Sequence, residues 1–298
     1  MTETAPIPDV SIIIPVYNES ASLGGVLDEI AALPLEAEVI VVDDGSLDDS
    51  AAVAKGHAGV RVLRHPYNIG NGAAIKTGIW AAQGRVIVMM DGDGQHQPAD
   101  IPRLLAHVGR YDMVVGARTP ASESDRHRDL ANRLYNLIAS YLVGRKVEDL
   151  TSGFRAIRAP LARRFVYLLP NGFSYPTTLT LSIFRAGHSV RYEPIVALAR
   201  QGQSKIRLMR DGLGFLLTMA RIGTLFAPLK IFLPVAIALF VVGAGYGGFI
   251  LLSRGRFSQM AGVTVLASIM LFMLGLISEQ IALLRMSQIG AFHDDSTP

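Results

Sequence analysis

The chain has 298 residues, half of them hydrophobic, and carries 28 Lys/Arg against 25 Asp/Glu for a formal net charge of +3. That length accommodates one or two domains with a sizeable core. The absence of cysteine excludes a disulfide framework and thiolate metal sites, and fits a cytosolic setting.

The first residues, MTETAPIPDVSIIIP, lack a basic stretch followed by a long apolar one, so no signal peptide is expected. Short β-rich runs follow at 10–17, 37–45, 60–65, 85–93 and 112–118. Polar or Ala-rich helical windows separate them at 20–32, 46–55, 72–83 and 98–108. This alternation predicts βαβ units and a mostly parallel sheet, and near-continuous apolar strands fit a sheet covered on both faces.

Charge is unevenly placed. Residues 1–199 hold 19 Lys/Arg and 21 Asp/Glu, whereas 200–230 hold six basic residues against Asp211 alone. The basic excess directly precedes the most apolar stretch, which points to anionic headgroups rather than nucleic acid. Residues 206–230 read as helices lying in the membrane interface. Ile231–Leu252 is 22 residues without a charge, and Met260–Ser278 is 19. The first spans roughly 33 Å as a helix, enough for a bilayer core. Membrane spans are preferred to a buried hairpin, with Glu279 either snorkelling at one face or making a helix–helix contact.

Several predicted strands end in polar groups: Tyr17, Asn18 and Glu19; Asp43, Asp44 and Ser46; Asp91, Asp93 and Gln95; Arg118. Ligands of open α/β sheets bind beyond the carboxyl ends of the strands. Any one such end is also explained as a helix cap, with Ser46 and Asp48 as examples. If the strand persisted through DGD, Asp91 and Asp93 would point to one side. At about 5 Å they would repel by roughly 3 kcal/mol at an effective dielectric near 20. A divalent Mg²⁺ or Mn²⁺ would reverse that cost, Gln95 adding an amide oxygen while Gly92 and Gly94 admit close approach. A solvated D-G turn is the competing reading.

The stretch IGNGAAIKTG lacks the third glycine of a dinucleotide loop, and neither a P-loop nor a G-x-S-x-G elbow occurs. Arg118, Arg126, Arg128 and Lys205 are candidate phosphate holders, with solvated surface charge the preferred reading of Arg126.

In order, IPVYNES, VIVVDDGSLDDS, NIGNGAAIKTG, MDGDGQHQPADIPRLL, MVVGAR, DLTSGFRAIR and GQSK cover about residues 10–207. In this combination the chain resembles the family 2 glycosyltransferases, in the polyprenyl-phosphate branch similar to dolichyl-phosphate mannose synthase. The resemblance implies a GT-A catalytic domain over 1–205, juxtamembrane helices over 206–230, two transmembrane helices over 231–285 and a tail over 286–298. It implies inverting transfer of a sugar from a UDP- or GDP-sugar to polyprenyl phosphate at the cytoplasmic membrane face, and leaves homo-oligomerisation open. By position, Pro15, Tyr17, Glu19, Val42 and Asp44 would hold the base and ribose. Asp91, Asp93 and Gln95 would hold Mg²⁺ or Mn²⁺ and through it the diphosphate, with Gly92 alongside. Arg118, Arg200 and Lys205 would surround the diphosphate, and Arg118, Arg128 and Ser204 the acceptor phosphate. Asp93, Arg118 and Lys205 are the implied catalytic residues.

Three departures stand out. DGDGQHQP has glycine where alanine is frequent and Gln97 where proline is; FSYPTTLTL lacks an acid common on that helix; the Arg200–Lys205 spacing is one short of some relatives. The alternatives are a processive or hydroxyl-acceptor polysaccharide transferase and a non-catalytic nucleotide-sugar-binding scaffold. The first is disfavoured because no Q-x-x-R-W occurs and the only tryptophan is Trp80. Asp149 is the acid that the resemblance places where hydroxyl-acceptor relatives carry a base.

Overall fold

A computed structural model describes residues 9–119, 122, 126–172, 174–198 and 223–291. The chain divides into two compact units, up to Ser204 and from Lys205 on.

The first unit is a seven-stranded sheet. Its strands are β1 (Val10–Val16), β2 (Ala37–Asp43), β3 (Val60–Arg64), β4 (Val86–Met89), β5 (Met113–Arg118), β6 (Arg155–Arg158) and β7 (Val190–Ile195). Their order is β3-β2-β1-β4-β6-β5-β7. All pairings are parallel except those of β6, which runs antiparallel to β4 and β5. The expected mostly parallel α/β sheet is therefore present.

Alternation along the strands sends side chains to two covered faces. Ile12, Ile14, Val41, Val88 and Val114 join one core cluster with Leu23 and Leu27 of α1 (Ser20–Ala31) and with Ile101 and Leu104 of α4 (Ile101–Leu105). On the other side α3 (Asn71–Ala81) packs closely on β1, since a Cβ at Gly78 would lie 2.3 Å from Ile13 Cγ2. Each fully buried Ile or Leu contributes about 1.5–3 kcal/mol.

Some expected boundaries move for local reasons. β4 stops at Met89, not Asp93, because the D-G turn signal prevails and Gly94 takes φ 74°. α2 (Ser50–Gly56) starts four residues later than expected. Asp48 Oδ1 does accept the Ser50 N–H at 3.0 Å, but Ser46 Oγ accepts the Asn18 N–H at 3.0 Å instead. The 98–108 window splits into a 3₁₀ turn over Pro98–Asp100 and the short α4, whose Pro102 lies in its first turn. α5 (Arg126–Val143), α6 (Ala159–Phe165) and α7 (Tyr175–Arg185) complete this unit's named helices.

The second unit contains α8 (Pro228–Arg254) and α9 (Gln259–Ala291). Within them, Pro228–Arg254 and Gln259–Arg285 are each 27 residues long, with 18-residue stretches of mean hydropathy 2.3 and 2.4, long and apolar enough to cross a membrane. Gly255, at φ 62°, ends α8 and returns its N–H to Leu251 O at 3.0 Å. The two helices pack through glycines. A Cβ at Gly243 would lie 3.1 Å from Thr264, one at Gly247 3.0 Å from Ala261 Cβ, and one at Gly275 2.8 Å from Phe232 Cβ. Glu279 Oε2 accepts the Leu229 N–H at 3.2 Å, the helix–helix alternative of the two expected for it. Residues 206–222 of the expected interfacial helices lie outside the described residues.

Candidate active site

At the β1 and β2 ends, Pro15 and Val42 are buried register partners. The chain then turns at Asn18, whose φ of 56° is left-handed. Three successive amides reach across to the second loop: Asn18 N–H to Ser46 Oγ (3.0 Å), Glu19 N–H to Ser50 Oγ (2.8 Å) and Ser20 N–H to Asp48 Oδ2 (3.0 Å). Leu47 N–H returns to Asn18 Oδ1 at 2.8 Å. Tyr17 and Glu19 are half-buried on this loop.

Asp44 is 2% exposed. Its carboxylate accepts the Ile69 and Gly70 N–H groups at 3.0 and 2.8 Å and pairs with His65 Nδ1 at 2.7 Å. His65 Nε2 lies 2.9 Å from Thr77 Oγ1, so this chain of bonds runs into α3. Asp44 thus organises the loop before α3. His65 and Thr77 were not singled out by the sequence, 21 and 33 positions away.

The turn after β4 carries Asp91, half-buried, and Asp93, 7% exposed. Because the strand has ended, side-chain alternation along an extended chain does not apply to this pair. Gly92 is a close-approach position: a Cβ there would lie 3.1 Å from Val16 Cγ2 and 3.5 Å from Glu19 Oε2. Ser22 Oγ donates to Gly92 O at 2.9 Å, tying the turn to α1. Asp93 Oδ1 accepts the Gln95 N–H at 3.1 Å. Gln95 also bonds Leu198, its Nε2 donating to Leu198 O at 3.4 Å and its carbonyl accepting the Leu198 N–H at 2.9 Å. His96 stacks on Phe154 at 5.2 Å. Burial pushes its pKa down to about 4 against the opposing charge of Asp93, so the ring is neutral at pH 7. The charges of Arg118 and Asp149 also act on this ring.

Among the described residues no three His, Cys, Asp or Glu side chains form a metal cage. The expected donors, the Asp91 and Asp93 carboxylates and the Gln95 amide oxygen, are all hard oxygens. That fits Mg²⁺ or Mn²⁺ completing its shell from substrate oxygens.

Arg118 ends β5. Its Nε and Nη2 donate to the two oxygens of Asp149, both at 2.8 Å, and its own N–H adds a third bond at 3.1 Å. Thr151 Oγ1 accepts a further bond from Nη2 at 2.6 Å. The Thr151 and Ser152 N–H groups also donate to Asp149 Oδ1, at 3.2 and 3.1 Å. Burial pushes the Asp149 carboxyl up, but the bonds and charge of Arg118 outweigh it and hold the group below the ordinary carboxylate range. Gly153 lies against Asp91, since a Cβ there would be 2.7 Å from Asp91 Oδ2. The expected Arg200, Ser204 and Lys205 lie outside the described residues, as does the side chain of Arg128.

One sheet edge therefore carries Tyr17, Asp44, Asp91, Asp93, Arg118 and, because β6 enters from that side, Asp149. Residues 11–166 match the model of Glycosyl transferase family 2, just over half of the chain. The chain belongs to glycosyl transferase family 2. Residues 227–284 match a second model, the GtrB C-terminal hairpin, in agreement with α8 and α9.

Among relatives of this glycosyltransferase, the dodecaprenyl-phosphate galacturonate synthase of Rhizobium johnstonii is 26% identical, the match covering 97% of this chain and 90% of that protein. An undecaprenyl-phosphate 4-deoxy-4-formamido-L-arabinose transferase of Pseudomonas fluorescens is 32% identical, over 82% of this chain and 77% of the relative. The undecaprenyl-phosphate mannosyltransferase of Micrococcus luteus is 32% identical, over 66% and 87%. Of solved structures, glucosyl-3-phosphoglycerate synthase from Mycobacterium tuberculosis superposes with a TM-score of 0.58 at 24% identity, covering 71% of this chain and 78% of the other. That similarity supports the GT-A fold.

Proposed function

We propose that this family 2 glycosyltransferase moves a sugar from a nucleotide diphosphate donor to the phosphate of a polyprenyl lipid, with inversion at the anomeric carbon. The observation that carries the reading is Asp149. A sugar-hydroxyl acceptor needs a base to remove its proton, and the acid at the base position is held by Arg118 as a low-pKa carboxylate. A phosphate monoester, with a second pKa of about 6, is already largely dianionic at neutral pH. The names of the three relatives above point the same way.

In the proposed reaction an acceptor phosphate oxygen attacks the anomeric carbon from the face opposite the diphosphate. The bond to the diphosphate oxygen breaks, and its electron pair leaves with the nucleoside diphosphate. The product is a glycosyl phosphodiester, and no proton has to be placed. Asp91, Asp93 and Gln95 would hold a divalent cation that offsets the departing charge. Pro15, Tyr17, Glu19, Val42 and Asp44 line the base and ribose end. Arg118 faces the phosphates in an orientation fixed by Asp149, and Arg128, Arg200, Ser204 and Lys205 complete the phosphate contacts. Residues 1–205 would form the catalytic domain, residues 206–230 interfacial helices, and the hairpin the anchor, with the basic stretch on the cytoplasmic side. The lipid tail then stays in the bilayer while its phosphate reaches the site.

The test is product analysis with membranes containing the full chain, labelled UDP- and GDP-sugars and polyprenyl phosphate. A glycosyl phosphodiester is expected, abolished by EDTA and reduced by orders of magnitude in Asp93→Asn. A sugar joined to a hydroxyl would overturn the acceptor assignment, and full activity in EDTA the cation assignment.

A further inference from the structure

Arg155 is 0% exposed, the largest fully buried side chain among the described residues. It sits on the central antiparallel strand, paired with Met89 of β4 and Val115 of β5. Its guanidinium bonds only neutral acceptors. Nη1 donates to Pro176 O (3.0 Å) and Thr180 Oγ1 (3.1 Å), Nη2 donates to Ser152 O, and Nε has no partner. Burying a cation without a carboxylate in contact is costly, and a neutral amide would bond the same carbonyls without that cost. The hydrogen bonds therefore do not account for the charge.

The charge does have neighbours at longer range. Beyond the Tyr175 and Tyr192 hydroxyls, the acidic groups that act on it are the carboxylates of Asp149 and then Asp91. The strand register explains how. Arg155 faces Met89, so Gly153 and Asp91, two residues outward on each chain, come together, and the Asp91 carboxylate sits against the Gly153 backbone. Tyr175, buried at the start of α7 with no partner for its hydroxyl, stands beside the same glycine. Burial pulls the guanidinium pKa down from its ordinary value, yet so strong a base keeps its proton at neutral pH, so a positive charge lies one strand repeat beneath the acidic turn, shielded from water.

We propose that Arg155 is a positioning residue that sets the potential of the donor site: it weakens binding of a bare divalent cation at Asp91 and Asp93 and strengthens binding of the nucleoside diphosphate. The cation is then held firmly only together with the nucleotide, and the two leave together after transfer. This inference rests on the cation reading proposed above.

The test uses the full chain in detergent. Free Mn²⁺ is followed by electron paramagnetic resonance as Mn²⁺ alone is titrated, and UDP and GDP are titrated separately by calorimetry in saturating Mg²⁺. Removing the charge in Arg155→Gln should tighten Mn²⁺ and weaken the bound nucleotide, each on the order of tenfold for a charge acting through several ångströms of protein. Arg155→Lys keeps the charge and should leave both within about twofold of wild type. A purely structural role moves both affinities the same way or neither, and that result overturns the inference. Mn²⁺ binding lost in Asp93→Asn yet unmoved in Arg155→Gln overturns it while sparing the cation site. No Mn²⁺ binding by wild type even with UDP or GDP present removes both. If Arg155→Gln does not fold, Arg155→Lys decides alone: loss of either affinity beyond about tenfold overturns the inference.

Discussion

Asp149 accepts bonds from Arg118, Thr151 and Ser152 and has little capacity left for a proton in transit. Asp149→Asn leaves one acceptor oxygen for Arg118 and removes a charge-assisted bond of about 1.5–3 kcal/mol. Transfer should fall by about one to two orders of magnitude yet persist, measured as initial rate at saturating donor. Complete loss with donor binding intact would return Asp149 to the role of base. The carboxyl is depressed in the folded state, so its contribution to stability is fully present above the unfolded value of about 4 and is lost as pH falls through the folded one. Melting temperature should therefore drop more steeply below pH ~4 in wild type than in Asp149→Asn. None of this pairing was legible in the sequence, because 31 residues separate the partners and only the entry of β6 brings them together. Arg118 was legible as a strand end and Asp91 as the charge at which an apolar run stops, whereas the turn that carries Asp93 was read as strand. Arg155 was visible only as one charge in a polar motif, and its complete burial is a tertiary property.

At the level of elements, β1, β2 and β5 read clearly because their apolar runs are long. β6 did not, being four residues, RAIR, with an arginine at each end. β7, VRYEPI, is interrupted by charge and proline and was not among the expected strands. Both are held by their neighbours rather than by propensity. In the hairpin, Glu279 was legible as an anomaly and its partner was not. The structure puts its carboxylate on an N–H in the first turn of α8, where orphan donors and the helix dipole favour an anion. Glu279→Leu should cost about 1–2 kcal/mol, seen as a lower melting temperature of the full chain in detergent, with Glu279→Gln intermediate. A Leu variant as stable as wild type would show that the cap contributes nothing.

For the molecule as a whole, the proposed orientation puts 1–230 and the tail beyond Arg285 on one side of the membrane and the α8–α9 turn on the other. The cysteine-free chain allows a direct check. Phe257→Cys, at a position 90% exposed on that turn, should react with an impermeant thiol reagent from outside intact cells, and Glu29→Cys on exposed α1 should not. The reverse pattern would invert the topology. The glycine seam of the hairpin bears on how it meets the lipid. Gly243, Gly247 and Gly275 are each occupied by the facing helix, whereas Val242, Phe249, Leu266 and Met273 are turned outward. Two helices locked along their small residues have no freedom to tilt separately. When bilayer thickness departs from the length of the hairpin, the pair has to lean as a single stiff plank, and the mismatch is met by the surrounding acyl chains rather than by sliding at the seam.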